Sequence, residues 1–187
     1  MYIKRLRDNP DSVELKELYP EPHDHMAWGF SHDIRVHSTI EMGRWLGRQF
    51  PIRSIADLST GNAAIPTGIG DKDTTLYLGD FANGYDLVGP ITKTIEDIPH
   101  VDLFVLSETV EHLENPEAVL RMIRDKSTLL LLSTPIGEDD GENPEHLWGW
   151  DQEGLLSILN KSGWEETICR IDVVFSDTYS YQIWSMK

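Results

Sequence analysis

The stretch from Val101 to Ser133 constrains this chain most. An apolar run, Val101-Asp102-Leu103-Phe104-Val105-Leu106-Ser107, gives way at once to Glu108-Thr109-Val110-Glu111-His112. A helix start follows: Asn115 is a good N-cap, Pro116 fills the first helical position where no N–H is needed, and Glu117 lies in the first turn. A second apolar run, Thr128-Leu129-Leu130-Leu131-Leu132-Ser133, comes next. Strand, helix, strand, with both strands apolar along their length, predicts a parallel pair covered on both faces. Side chains at the carboxyl end of such a strand face the crevice where open α/β sheets bind ligands. If the chain turns helical there, Glu108, Glu111 and His112 stand at i, i+3 and i+4 and share one face.

The rest of the chain extends this pattern. Asp33 to Phe50 carries Ile34, Ile40, Met42, Trp45 and Leu46 at helical spacing and closes at Pro51. Three further strand candidates follow, Ser54-Ile55-Ala56-Asp57-Leu58, Thr75-Leu76-Tyr77-Leu78 and Tyr85-Asp86-Leu87-Val88. A last helix starts at Asp151 and ends at Gly163, and two β-rich runs around Ser176-Asp177 predict a terminal hairpin. Residues Asp8 to Phe30, broken by Pro10, Pro20 and Pro22, read as an irregular arm. The expected organisation is an arm over residues 1–32 and one domain over 33–187. Its fold class is α/β: a Rossmann-like, mostly parallel sheet of seven strands with an antiparallel C-terminal hairpin and helices on both faces.

Composition narrows the function classes. No apolar run reaches the roughly 18 residues of a membrane span, and the basic start Met1-Tyr2-Ile3-Lys4-Arg5-Leu6-Arg7 lacks the apolar segment of a signal peptide. The single cysteine, Cys169, excludes an internal disulfide, fits a reducing compartment and points to the cytoplasm. A formal net charge of −16 disfavours duplex nucleic acid, whose binding rests on Lys and Arg neutralising phosphates. The expected partner is a small-molecule or nucleotide acceptor.

This order of elements resembles the class I S-adenosylmethionine (SAM)-dependent methyltransferases over residues 53 to 187. In that family the first strand ends in an acid and a glycine-rich turn; Asp57-Leu58-Ser59-Thr60-Gly61-Asn62-Ala63 matches it with one glycine, and small Ser59 and Ala63 replace the others. The second strand ends in an acid that holds the ribose hydroxyls, and Leu78-Gly79-Asp80-Phe81 matches, with Phe81 placed to flank the adenine. Pro90 stands where an acid often follows the third strand. The most specific match is the strand, E-x-x-E-H-L and N-P series from Asp102 to Pro116, extended by Ser133-Thr134-Pro135 and by His146 before Leu147-Trp148. The resemblance implies SAM as cofactor, held by Asp57, Ser59, Thr60, Gly61, Asn62, Asp80, Phe81 and Ser107, and methyl transfer to an oxygen or nitrogen.

In some relatives an E-x-x-E-H with a distant histidine binds a divalent metal. The matching positions, Glu108, Glu111, His112 and His146, are the candidate catalytic residues and the candidate ligands for Mg²⁺, Mn²⁺ or Fe²⁺. Without metal, His112 or His146 is the candidate general base. The arm around His23, His25, Trp28 and Phe30 reads as a lid on the acceptor pocket or a packing strap, and Trp148 and Trp150 as pocket wall or core. Two other readings stay open: a non-catalytic binding or regulatory protein of this fold, and an RNA 2′-O-methyltransferase.

Overall fold

The computed structural model describes residues 1–8, 20–22, 24, 30–138, 143, 145–174 and 177–186. Most of the histidine-rich and aromatic part of the arm lies outside them, as do the side chain of Cys169 and the tip of the terminal hairpin. In the described chain, β1 (Ile3–Arg5) precedes α1 (Phe30–Gln49), β2 (Ser54–Asp57), α2 (Ala64–Ile69), β3 (Thr75–Asp80), β4 (Leu87–Val88) and α3 (Ile91–Thr94). There follow β5 (Val101–Ser107), α4 (Pro116–Lys126), β6 (Ser127–Pro135), β7 (Trp148–Trp150), α5 (Gln152–Lys161), β8 (Trp164–Val174) and β9 (Asp177–Met186).

Seven strands form one sheet in the order β4-β3-β2-β5-β6-β9-β8. The first five run parallel, while β9 pairs antiparallel with both β6 and β8. Strand alternation distributes the apolar runs between the two faces. Leu103 and Val105 of β5, with Leu129 and Leu131 of β6, pack beneath α1 and α2 beside Val36 and Leu46. Phe104, Leu106, Leu130 and Leu132 point the other way, onto Val119, Leu120 and Ile123 of α4 and Leu155 and Leu159 of α5. An unbroken apolar strand is therefore the signature of burial on two sides rather than one. The helix caps form as the sequence indicates: Asn115 accepts from Ala118 N at 3.1 Å and Asp151 from Gly154 N at 2.7 Å.

Two expectations are corrected. The strand candidate at Tyr85 is reduced to Leu87–Val88, because its partner among the described strands, β3, offers two residues of register before the chain turns at Gly89. The six-residue helix α2 follows β2. The start of the chain was not read as a strand, yet β1 pairs antiparallel with β7, Ile3 opposite Trp150 and Arg5 opposite Trp148. Trp148 and Trp150 are packing residues: their indole N–H groups donate to Leu113 O and Pro135 O, and Trp150 is fully buried.

The β1–β7 ribbon depends on two absent side chains. A Cβ on Gly149 would come within 2.0 Å of Glu138 O, and one on Gly154 within 2.0 Å of Tyr2 O. Around these contacts Tyr2 O accepts from Asp151 N, Tyr2 Oη donates to Glu138 O at 3.0 Å, and Arg5 forms a two-pronged pair with Glu114 while lying over the Trp148 ring.

Candidate functional site

Two groups of residues meet at the carboxyl ends of the parallel strands. The first is built by β2 and β3. Leaving β2, the chain must reverse in a few residues, and both Gly61 (φ 53°) and Ala63 (φ 59°) take left-handed backbone. The path that several glycines would make easily is thus made with one glycine and one strained alanine. Thr60 N donates to Gly79 O at 3.1 Å, which draws the turn onto β3. Asp80 then receives the turn: its Oδ2 accepts from Gly61 N at 2.8 Å and its Oδ1 from Ala82 N at 3.0 Å. Tyr85 Oη donates to Gly61 O, and Asn62 Nδ2 to Asp24 at 2.8 Å. Asp80 and Phe81 keep partial exposure.

Ala63→Gly is expected to raise stability by about 0.5 kcal/mol. Relief of ~1–2 kcal/mol of left-handed strain is offset in part by ~0.5–1 kcal/mol of unfolded-chain entropy. A higher midpoint in urea unfolding reads the effect.

Asp57 lies beneath this turn rather than in the crevice. It is 3% exposed and accepts from Ser59 N at 3.2 Å. Burial, with a contribution from the charge of Asp80, pushes its carboxyl up to about 7. Its folded pKa therefore lies above the unfolded one, so the folded state holds a proton that the unfolded state has released. Stability then falls as pH rises from about 4 to about 7, by up to roughly 4 kcal/mol from this group. Asp57→Asn keeps the acceptor for Ser59 N and is expected to flatten that slope, gaining most on the wild type above pH 7 in pH-dependent unfolding.

The second group grows from the end of β5. Glu108 takes a left-handed backbone (φ 50°), its N–H donating to Ser133 O at 2.8 Å, and only a single 3₁₀ turn, Val110–His112, follows. The expected helical face is corrected accordingly: Glu108, Glu111 and His112 do not share a helix. Glu111 and His112 are brought together with His146, one ligand-capable atom from each lying within 4.8 Å of the others, and Glu108 stands outside that group. Leu147 N donates to Glu111 O at 2.9 Å and binds the two segments.

The members differ in charge and partners. Glu111 is 1% exposed; its Oε2 accepts from Thr134 Oγ1 at 3.0 Å, and its buried Oε1 meets no donor of another residue among those described. Burial raises Glu111 above the usual carboxylate range, and burial with the neighbouring Glu111 charge, against that of Arg35, takes Glu108 to about 7. His112 Nδ1 donates to Glu145 O at 2.9 Å, which leaves Nε2 as a lone pair with no donor among the described residues. Burial, then the His146 charge, lowers His112 to about 4, so it is a neutral imidazole at ordinary pH. His146 crosses it edge to face, ring centres 4.8 Å apart. Burial pulls His146 down, but its hydrogen bond to Glu138 and the charges of Glu111, Glu138 and Glu108 outweigh burial and raise it. Both its nitrogens are engaged, Nδ1 donating to Glu138 Oε2 and Nε2 accepting from Asn143 Nδ2 at 3.0 Å.

The two groups touch through hydroxyls. Thr109 Oγ1 donates to Ser107 O at 3.0 Å, so at 2.8 Å it is Ser59 Oγ that donates to Thr109. Sequence reasoning missed Arg35, Tyr85, Thr109, Glu138 and Asn143. Only Arg35 left a signal: it repeats with Thr39, Met42 and Leu46 on the buried stripe of α1, where a charge is out of place.

No protein-family model and no curated protein sequence matches the chain. Solved structures match its shape. The N-terminal domain of EvdMO1 with SAH (S-adenosylhomocysteine) bound has a TM-score of 0.67 at 13% identity, over 94% of this chain and 95% of that one. Magnesium protoporphyrin IX methyltransferase (ChlM) from Synechocystis with bound SAH has a TM-score of 0.67 at 8% identity, over 94% of each chain. The Burkholderia thailandensis 1,6-didemethyltoxoflavin-N1-methyltransferase, with 1,6-didemethyltoxoflavin and S-adenosylhomocysteine bound, reaches 0.71 at 9% identity, over 94% of this chain and 87% of that one. The chain has the fold of the class I methyltransferases.

Proposed function

We propose that the chain is a SAM-dependent methyltransferase that moves the sulfonium methyl to an oxygen or nitrogen of a small molecule. The observation that carries this reading is the turn at Ser59–Ala63. Its glycine motif is degenerate in letters, yet Gly61 and Ala63 keep left-handed backbone, and the Asp80 carboxylate lies against it. Each Asp80 oxygen accepts one backbone N–H and has a second lone pair for a ribose hydroxyl. Ser59, Thr60, Gly61 and Asn62 offer close backbone approach, Phe81 an apolar flank and Ser107 a hydroxyl at the strand end. Four of the solved structures of this fold hold SAH or SAM, which supports the same ligand here.

Methyl transfer is an in-line displacement. A lone pair of the acceptor forms the new bond to carbon, the carbon–sulfur bond breaks, and its electrons stay on sulfur as SAH forms. The acceptor's proton must leave, and rate comes from holding nucleophile and methyl in line while excluding water. Glu108, Glu111, His112 and His146 are the residues we assign to the acceptor side. His112, held near pKa 4, suits a lone-pair donor better than a base, and both nitrogens of His146 are engaged, which leaves Glu108 to take the proton. Asp24, before α1, meets Asn62 beside the turn.

A second reading adds a divalent metal, favoured by one observation: the buried Glu111 Oε1 meets no donor of another described residue, in a group with His112 and His146 whose ligand-capable atoms lie within 4.8 Å of one another. Glu111, His112 and His146 would hold Mg²⁺, Mn²⁺ or Fe²⁺, the last only if Asn143 releases its ring nitrogen. Such an ion supplies Lewis acidity that lowers the pKa of a bound hydroxyl.

Calorimetry with SAH and a product search with methyl-labelled SAM test the main reading: absence of SAH heat at millimolar ligand would sink it. For the metal, elemental analysis after incubation with Mn²⁺ and desalting is expected to find about one ion per chain in wild type and none in Glu111→Gln or His146→Ala. Equal content in all three proteins removes the metal reading and leaves methyl transfer standing.

A further inference from the structure

Arg35 is a fully buried cation that the mechanism above does not use. It sits on α1, and its Nη1 donates to Ser107 Oγ at 2.8 Å at the end of β5. Ser107 Oγ lies 2.8 Å from Ser133 Oγ on β6, and Ser133 Oγ donates to Glu108 Oε1 at 3.1 Å. With Glu108 ionised, the direction of this chain is forced. A guanidinium only donates, and each hydroxyl has one hydrogen. Ser133 spends its hydrogen on Glu108, so Ser107 must donate to Ser133, and Arg35 fills the lone pair that this leaves on Ser107.

The relay converges with the backbone on the same carboxylate. Glu108 is tied to Ser133 twice, by its N–H to Ser133 O and by Oε1 to Ser133 Oγ. Its left-handed φ of 50° is a strained conformation of the sort that persists where surroundings over-determine it. Oε2 accepts no hydrogen bond among the described residues, is not among the fully buried unpartnered atoms, and belongs to a side chain that keeps partial exposure.

We propose that Arg35 is a positioning residue of the methyl-transfer site: through Ser107 and Ser133 it fixes Glu108 with Oε1 turned inward and Oε2 presented to the N–H or O–H of the acceptor. This rests on the methyltransferase reading above. It names Oε2 of Glu108 as the atom that orients the acceptor, and it assigns the donors behind it. The acceptor it fits carries a hydrogen on the atom to be methylated, an amine, amide nitrogen or hydroxyl, rather than a thioether or a tertiary amine. An ionised guanidinium at the far end polarises both hydroxyls toward Glu108, and charge-assisted chains of this kind hold geometry better than neutral ones.

The test uses the full chain labelled with ¹³C at the glutamate carboxyl, at one fixed pH. The Glu108 resonance is identified by its loss in Glu108→Gln. It is expected to move in Ser133→Ala, which deletes the direct donor, and also in Ser107→Ala, whose hydroxyl makes no hydrogen bond to Glu108, and in Arg35→Gln, whose charge also acts on Glu108 directly. A Glu108 resonance unchanged in Ser107→Ala overturns the relay. If Arg35→Gln does not fold, the two serine variants decide, since each removes one hydroxyl and little volume. Calorimetry of SAH with the wild type is run beside it. A protein that binds no SAH but shows the shifts loses the methyltransferase reading and keeps the relay; one that binds SAH without the shifts does the reverse.

Discussion

Asp80→Ala is expected to weaken SAH binding by one to two orders of magnitude. The carboxylate stands between the turn after β2 and the loop after β3, accepting Gly61 N–H at 2.8 Å and Ala82 N–H at 3.0 Å. A hydrogen bond to a charged group contributes roughly 1.5–3 kcal/mol, and about 1.4 kcal/mol is tenfold in affinity. Losing one ribose contact alone therefore accounts for at least tenfold, and the second hydroxyl and the slackened Gly61 turn supply the rest. Asp80→Asn keeps one acceptor oxygen and is expected to lose less than the alanine variant. Calorimetry with SAH, with the thermal midpoint measured alongside, separates ligand loss from unfolding. An alanine variant folded and within twofold of wild type would remove Asp80 from the donor site.

The largest structural effect is expected from Gly154→Ala. The added Cβ would meet Tyr2 O at 2.0 Å and Tyr2 C at 2.9 Å, both backbone atoms with no rotamer to retreat into. Either α5 moves off its cap or β1 leaves β7. Overpacking alone costs ~1–3 kcal/mol, and the detached strand forfeits its backbone hydrogen bonds as well, so a loss of at least ~3 kcal/mol is expected. Hydrogen exchange locates it: Leu6, whose N–H donates to Leu147 O, and Asp151, whose N–H donates to Tyr2 O, should lose protection first. Gly47→Ala is the control. It sits at an exposed position of α1 with nothing within 4 Å of its Cβ and is expected to gain about 1 kcal/mol from helix propensity. A Gly154→Ala protein as stable as wild type would show that the ribbon contributes nothing.

The sheet was legible because its central strands announce themselves twice, as apolar runs and by the punctuation after them. Leu103–Leu106 and Leu129–Leu132 are buried on both sides, and Asn115, Pro116 and Asp151 cap where their chemistry says they must. Within the site, Glu111, His112 and His146 were readable as residue types near one another in the fold, but the backbone between Glu108 and Glu111 was not. Positive φ at a glutamate carries no compositional mark, so a helix was the natural expectation where one 3₁₀ turn forms. Asp57 was legible as an acid ending a strand but not as a buried one, because the sequence does not tell which acid the turn folds over. The β1–β7 ribbon was illegible for another reason: three residues carry no periodicity, and their partners lie almost a whole chain away. Arg35 is the intermediate case, marked by its place on an apolar stripe but silent about Ser107.

That ribbon also sets a schedule. Ile3 finds its place only opposite Trp150, so during synthesis the first strand waits until more than three quarters of the chain exists. At about 5–20 residues per second, the wait is of the order of ten seconds. The loop bearing Glu138, Asn143 and His146 is anchored on one side by Tyr2 and on the other by Glu111 and His112. Its second anchor therefore comes from the oldest part of the nascent chain. The strands that carry the proposed donor side, β2, β3 and β5, are all made before Trp150, so the residues that would hold a nucleoside exist while the proposed acceptor side still lacks its loop.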